Sequence, residues 1–313
     1  MINKFREKKV ISLNLPQFVE IVEVGPRDGL QNEAAFIPTE KKIGLIEALN
    51  NTGIKRMEAT SFVHPVHVPQ MKDSYEVFTN MNHEDHVQYM VLIPNEKGYE
   101  RAIHAGANDF TLVAGASNEF NLKNVRITRD ESMAQLENVI GRIKENRGYI
   151  RFDIATSFWC PFEGKVNEGI ILGMVDQLEK WQVDEIVLCD TIGRATPKEV
   201  YQLFSKVLDK SPSAKIAAHF HDTYGFAQSN VLAALQAGVT VFDSSIGGLG
   251  GCPFAPGAAG NSSTEDLVMM LQEMDIDTGV DLNKLLQCVD LIKTMTQREL
   301  SGHLNKINHP INV

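Results

Sequence analysis

Short apolar runs rich in β-formers alternate with longer amphipathic segments along this chain, and the alternation repeats eight times. The runs predicted as strands are 18–24, 56–60, 89–93, 109–113, 150–155, 185–188, 215–221 and 240–245. Between them, 39–50, 133–146, 198–208 and 227–235 carry apolar residues at helical spacing. Repeated strand–helix units build a parallel sheet, and eight of them predict closure into an α/β fold, the (β/α)₈ TIM barrel, over about residues 18–262. Beyond it, Ser263-Thr264-Glu265-Asp266 supplies capping and acidic residues ahead of Leu267, Met270 and Leu271, so about 263–301 reads as additional C-terminal helix. No low-complexity stretch or long linker divides the chain, so residues 1–313 are expected to form a single catalytic domain.

Composition narrows this picture only slightly. At 313 residues, with 43% hydrophobic and 22% charged side chains, the chain suits one large α/β barrel. The four cysteines, Cys160, Cys189, Cys252 and Cys288, form no CxxC pair, which argues against a disulfide framework or a structural zinc site. A net charge of −10 disfavours nucleic acid as a partner, although a local group of Arg and Lys can still hold a small anion. The apolar runs are short and interrupted by charge, so no membrane span is expected. MINKFREKKVISLNL has no signal-peptide core, and a cytoplasmic location follows by default.

In a barrel of this kind the chemistry collects at the C-terminal ends of the strands. Four clusters fall there. His219-Phe220-His221-Asp222 closes the seventh strand; residues two apart in a strand face the same way, so both imidazoles can share one metal ion. The alternative is a pair of polar rim histidines. Glu23-Val24-Gly25-Pro26-Arg27-Asp28-Gly29 closes the first strand. Alone, Arg27 beside Asp28 reads as an ion pair; beside a metal, Asp28 is a hard oxygen ligand and Arg27 a fixed guanidinium for an oxyanion. The glycine-rich stretch from Gly247 to Asn261, with Cys252 within it, follows the eighth strand and reads as a lid or as a loop that a ligand approaches closely. Glu58-Ala59-Thr60-Ser61-Phe62 closes the second strand, where Glu58 reads as an acid/base, an orienting carboxylate, or a rim partner of Arg27. His64 and His67 are read as loop residues.

Together these residues resemble the hydroxymethylglutaryl-CoA lyase family over about 22–286. The similarity rests on VEVGPRDGLQNE, EATSFV, VPQM, DTIG, HFHDTYG and GGLGGCPFAPGAAGN, in this order. The resemblance implies a TIM barrel, usually dimeric or a small homo-oligomer, that cleaves an acyl-CoA with a divalent metal, Mg²⁺ or Mn²⁺. It implies the metal ligands Asp28, His219, His221 and Asn261. Arg27 matches the arginine that steadies an enolate oxygen, Cys252 a proton-transferring cysteine, and Glu23 and Glu58 catalytic or supporting carboxylates. It leaves open which residue takes the hydroxyl proton, His219 or a carboxylate beside the metal. The chain departs from the family where substrate is expected to be held: Arg151 matches, but Asp153 stands at the usual Tyr and Val187 at the usual Ser. Arg151 and Asp153 share a strand face and are expected to pair, drawing charge away from the acyl group. The neighbouring readings are a lyase for another branched 3-hydroxyacyl-CoA, a Claisen-condensing synthase of the same superfamily, and, from another class, a non-enzymatic scaffold.

Overall fold

The computed structural model describes residues 15–210, 212–251, 260–296 and 299–307. All eight expected strands form. They are β1 (Glu20–Glu23), β2 (Arg56–Ser61), β3 (Gln88–Leu92), β4 (Asp109–Gly115), β5 (Tyr149–Ala155), β8 (Glu185–Asp190), β9 (Lys215–Phe220) and β10 (Val241–Ser244). A short antiparallel hairpin, β6 (Trp159–Cys160) with β7 (Gly164–Lys165), sits between β5 and β8 and was not anticipated. The eight barrel strands are all parallel to their neighbours, and β1 pairs with both β2 and β10, which closes the sheet.

Helices fill every crossover: α1 (Thr39–Asn50), α2 (Ser74–Asn80), α3 (Glu96–His104), α4 (Asn118–Val125), α5 (Arg129–Glu145), α6 (Glu168–Trp181), α7 (Pro197–Leu208) and α8 (Ala227–Ala237). Local chemistry sets their starts. Thr128 with Glu131, and Thr196 with Glu199, form reciprocal capping boxes at α5 and α7, each satisfying two backbone donors that a helix start leaves unpaired. The tail forms two helices, α9 (Thr264–Glu273) and α10 (Leu282–Met295), separated where Asp275 and Gly279 take φ of 57° and 68°. That break presents Asp277 to pair with Phe18 just ahead of β1.

The strands are buried on both faces, as parallel sheets require. Residues such as Ile21, Met57, Phe110, Phe152, Ile186 and Phe242 face outward into one continuous core against the helices. Val22, Val24, Met90, Val187, Cys189, Ala217 and Val241 form a separate small cluster inside the barrel. This period-two alternation decides which polar residues face inward. Arg56, Glu58, Arg151, Asp153, Glu185, His219 and Asp243 fall on the inner register, and the upper part of that interior is the site described next.

Candidate active site

The first strand ends in a π-helical turn, Gly25–Gly29, wound around one carbonyl: Val24 O accepts the N–H groups of Arg27, Asp28 and Gly29 at 3.1, 2.7 and 3.2 Å. The turn aims Arg27 and Asp28 over the barrel mouth. A side chain at Gly25 would put its Cβ 2.6 Å from Glu23 Oε1, so the approach needs glycine. Across the mouth, β9 stops at Phe220, one residue short of the predicted end, and His221 instead forms an antiparallel bridge with Asn261. Flanking backbone bonds, Ser262 N–H to Phe220 O and Asp222 N–H to Gly260 O, both 3.0 Å, stitch the returning chain there.

These turns bring Asp28, His219 and His221 together, with one ligand atom from each lying within 4.8 Å of the others. Asn261 joins them. Its amide N–H₂ donates to Asp28 Oδ2 at 2.7 Å and to Leu249 O at 3.0 Å, which settles the amide orientation and leaves Oδ1 buried with no partner. Gly250, at φ 122°, passes so close that a Cβ there would lie 2.5 Å from the Asn261 nitrogen. Charge favours a cation. Burial works to raise Asp28, but Arg27, His219, His221 and the Asn261 amide hold it at about 2. Burial, with His219 and Arg27 nearby, pushes His221 down to about 4 against the pull of Asp28, so its ring is neutral near pH 7. Its Nδ1 is buried without a partner. Ionised carboxylate, neutral imidazole and free amide oxygen are the protonation states a metal ligand set needs.

Arg27 is locked beside this set. Its Nε donates to Glu58 Oε2 at 2.6 Å, Nη2 lies 2.5 Å from the same oxygen, and Nη1 donates to Asp28 Oδ1 at 2.8 Å. Despite its burial, these carboxylates and Asp153 hold the guanidinium firmly charged. Glu58 reaches it because β2 carries a register shift between Glu58 and Thr60, the kind of bulge that re-aims side chains at active sites. Glu58 Oε1 remains buried and unpartnered.

Several expected residues are placed differently from the sequence reading. Glu23 follows Ile21 onto the outer register of β1 and is fully buried. Its Oε1 accepts the N–H groups of Gly25 and Ile246 at 2.7 and 2.9 Å, and its Oε2 accepts the Thr264 hydroxyl at 2.7 Å. It braces the β1 turn against the segment after β10 instead of facing the metal-ligand set, an arrangement that suits a supporting carboxylate. Burial pushes its carboxyl to about 7, with Glu265 adding to the effect and the three hydrogen bonds opposing it. A carboxyl raised on folding contributes stability at low pH that is lost as pH rises from its ordinary 4.5 through about 7. Glu23→Gln is therefore expected to keep kcat within a few-fold of wild type and to gain thermal stability relative to it between pH 5 and pH 8. Loss of turnover in a stably folded Glu23→Gln would return Glu23 to the chemistry.

Arg151 and Val187 are both fully enclosed, so neither presents surface to a ligand. Asp153 does lie on the same face as Arg151, but the Arg151 Nε–Asp153 Oδ1 separation is 3.9 Å. The closer partners of Arg151 are Asp243, whose Oδ1 accepts Nη2 at 2.5 Å, and Glu185, whose Oε1 lies 2.8 Å from Nε without hydrogen-bond alignment. Asp153 Oδ1 is buried and unbonded; burial and the nearby Glu58 and Asp243 raise its carboxyl against Arg151 and Arg27. Cys252 lies outside the described residues. His64 and His67 are exposed loop residues, as expected, with their rings 4.7 Å apart. Sequence reasoning passed over Asp243, whose Oδ2 lies 3.0 Å from His219 Nδ1. The available signal was an acid on the inner register of an otherwise apolar strand, VFDS.

Comparison with known proteins finds similar sequences and a similar fold. The HMGL-like family matches residues 18–292. The chain is 45% identical over 288 residues to a mitochondrial hydroxymethylglutaryl-CoA lyase of Rattus norvegicus, covering 92% of this chain and 89% of the relative. It is 43% identical over 278 residues to a hydroxymethylglutaryl-CoA lyase of Bacillus subtilis, covering 89% and 93%. Among solved structures, an HMG-CoA lyase from Acinetobacter baumannii, in complex with coenzyme A and 3-methylmalate, superposes with a TM-score of 0.90 at 41% identity, covering 95% of this chain and 97% of that one. Among the described residues, no helix is long and apolar enough to cross a membrane.

Proposed function

The chain belongs to the HMGL-like family and is a carbon–carbon lyase of the hydroxymethylglutaryl-CoA lyase type, and from that premise we propose that it cleaves 3-hydroxy-3-methylglutaryl-CoA, or a close analogue, to acetyl-CoA and acetoacetate or the matching 3-oxo acid, at the rim where Asp28, His219, His221 and Asn261 converge. The observation that carries this reading is the unmet ligand capacity of that rim: an ionised Asp28, a neutral His221 and a buried, partnerless Asn261 Oδ1. The donors are hard oxygens and imidazole nitrogens, which suit Mg²⁺ or Mn²⁺. When bound, such an ion supplies Lewis-acid polarisation and a template for substrate oxygens.

The protein's own groups divide the remaining work. The C3 hydroxyl gives up its proton, the C2–C3 bond breaks, the C3 oxygen becomes a ketone, and the electron pair remains on C2 as a thioester enolate. Arg27 keeps N–H groups beyond those engaged by Glu58 and Asp28, and they meet the charge growing on the thioester oxygen. Glu58 fixes the plane of that guanidinium. Glu58 Oε1, buried and unpartnered beside Arg27, is the carboxylate at hand for the hydroxyl proton. Cys252, by family resemblance, returns a proton to C2. Cys252→Ala is expected to slow turnover while leaving divalent-ion affinity near wild type; a matching loss of affinity would move Cys252 into the ion site. Assembly as a homodimer is proposed on the same resemblance.

Asp153 sets the acyl preference in this reading, and the enclosed Val187 acts only through it. They are register partners on β5 and β8, so a change at one is felt at the other. A carboxyl replaces a phenol hydroxyl at 153, and a hydrogen bond lost to substrate there costs about 1 kcal/mol. The double variant Asp153→Tyr with Val187→Ser is expected to raise kcat/KM for 3-hydroxy-3-methylglutaryl-CoA. A fast wild type with no gain in the variant would show that these positions do not select substrate. The reading as a whole is tested by chelation: protein treated with EDTA and dialysed should lose acetyl-CoA release and regain it on adding Mg²⁺ or Mn²⁺.

A further inference from the structure

We propose that Asp243 is the positioning residue for His219, and that Arg151 serves the same ion site by holding Asp243 instead of holding substrate. The inference rests on the metal-site reading above. Asp243 lies on the inner register of β10, two residues beyond Val241 of the interior cluster, and is nearly fully buried. Its two oxygens are divided. Oδ2 lies 3.0 Å from His219 Nδ1, and Oδ1 accepts Arg151 Nη2 at 2.5 Å. A ring that donates from Nδ1 to a carboxylate presents Nε2 as a bare lone pair, in one tautomer and one orientation, which is how outer carboxylates tune metal-binding histidines.

Arg151 explains how a carboxylate survives at that depth. Arg151 is fully enclosed, and its near contacts are all carboxylates: Asp243, Glu185 and, more distantly, Asp153. Glu185 in turn accepts Arg56 Nη1 at 2.7 Å and the Tyr149 hydroxyl at 3.2 Å. The four full charges alternate, Arg56, Glu185, Arg151, Asp243, from the first residue of β2 up to the histidine at the rim. Within that ladder each buried charge has an opposite neighbour; removing Arg151 would leave Asp243 with His219 alone, while Glu185 would keep Arg56. Arg151 Nη1 has no hydrogen-bond partner but is enclosed with the rest of the side chain, so it offers no face to an acyl group.

Titrating purified protein with Mn²⁺, read by electron paramagnetic resonance, tests this without relying on turnover. Wild type should bind the ion. Asp243→Asn should bind it about 10–100-fold more weakly, the range for loss of an outer-shell partner. Arg151→Gln should also weaken Mn²⁺ binding, Arg151→Lys should recover part of the loss, and both should keep a near-normal KM at saturating Mn²⁺. Circular dichroism confirms that each variant is folded. Should Asp243→Asn fail to fold, Asp243→Glu, which keeps the charge but moves it by one methylene, decides by the same titration. Wild-type affinity in a folded Asp243 variant overturns the proposal. So does an Arg151→Gln variant with normal Mn²⁺ affinity and a raised KM, which would restore Arg151 to substrate binding. A wild type that binds no Mn²⁺ would sink the metal-site reading itself, and this inference with it.

Discussion

His221→Ala is expected to abolish turnover and to lower Mn²⁺ affinity by more than the ~10–100-fold that loss of an outer-shell partner costs. The reason lies in the ring's state. Burial, His219 and Arg27 keep His221 neutral, with a pKa of about 4, so it is available as a ligand across the physiological range. Its backbone bridge to Asn261 holds two of the four donors side by side on adjacent segments. Calorimetric titration of the variant with Mn²⁺, beside an acetyl-CoA assay, reads both effects. Full activity after chelation and dialysis would remove His221 from the ligand set.

Arg27→Lys is expected to cost about 10²–10³-fold in kcat, the usual loss when a fixed donor at a developing oxyanion is removed, with KM within a few-fold of wild type. The guanidinium is held in one plane by two contacts to Glu58 and one to Asp28, all between 2.5 and 2.8 Å. An ammonium keeps the charge but not the fork. It would leave Glu58, whose Oε1 already lacks a partner, further uncompensated inside the barrel. Steady-state kinetics at saturating metal separates the two parameters. A rise in KM alone would make Arg27 a ground-state binding residue.

The barrel was legible because its strands are short runs buried on both faces, four of them ending in a polar residue. Asp28, Glu58, His219 and Asn261 all lie at or just beyond such ends, and the structure gathers them. Glu23 shows where motif reading outran geometry. It sits four residues before Arg27 in a motif that resembles catalytic sequence, yet strand alternation turns it outward with Ile21, while Val22 and Val24 turn inward. Counting that alternation from Val22 puts it on the outer register, where it braces the turn.

Other features carried no local signature. Asp243 meets Arg151 across 92 residues and Arg56 meets Glu185 across 129, so nothing near either acid announced a partner. Arg151 and Asp153 were expected to pair because they are two apart. The closer carboxylates lay on β8 and β10, strands whose inward residues only the closed barrel brings alongside. The β6–β7 hairpin, two residues per strand, falls below what periodicity can detect.

The most direct test of the central claim is product analysis in D₂O. Purified protein is incubated with 3-hydroxy-3-methylglutaryl-CoA and Mn²⁺ or Mg²⁺, and the products are read by mass spectrometry. The expected result is acetyl-CoA and acetoacetate in equal amounts, with one deuterium in the acetyl methyl group, no products after EDTA, and recovery when the ion is restored. Release of free CoA with the six-carbon acid intact would contradict carbon–carbon cleavage, as would the absence of acetyl-CoA from every 3-hydroxy-3-alkylglutaryl-CoA offered.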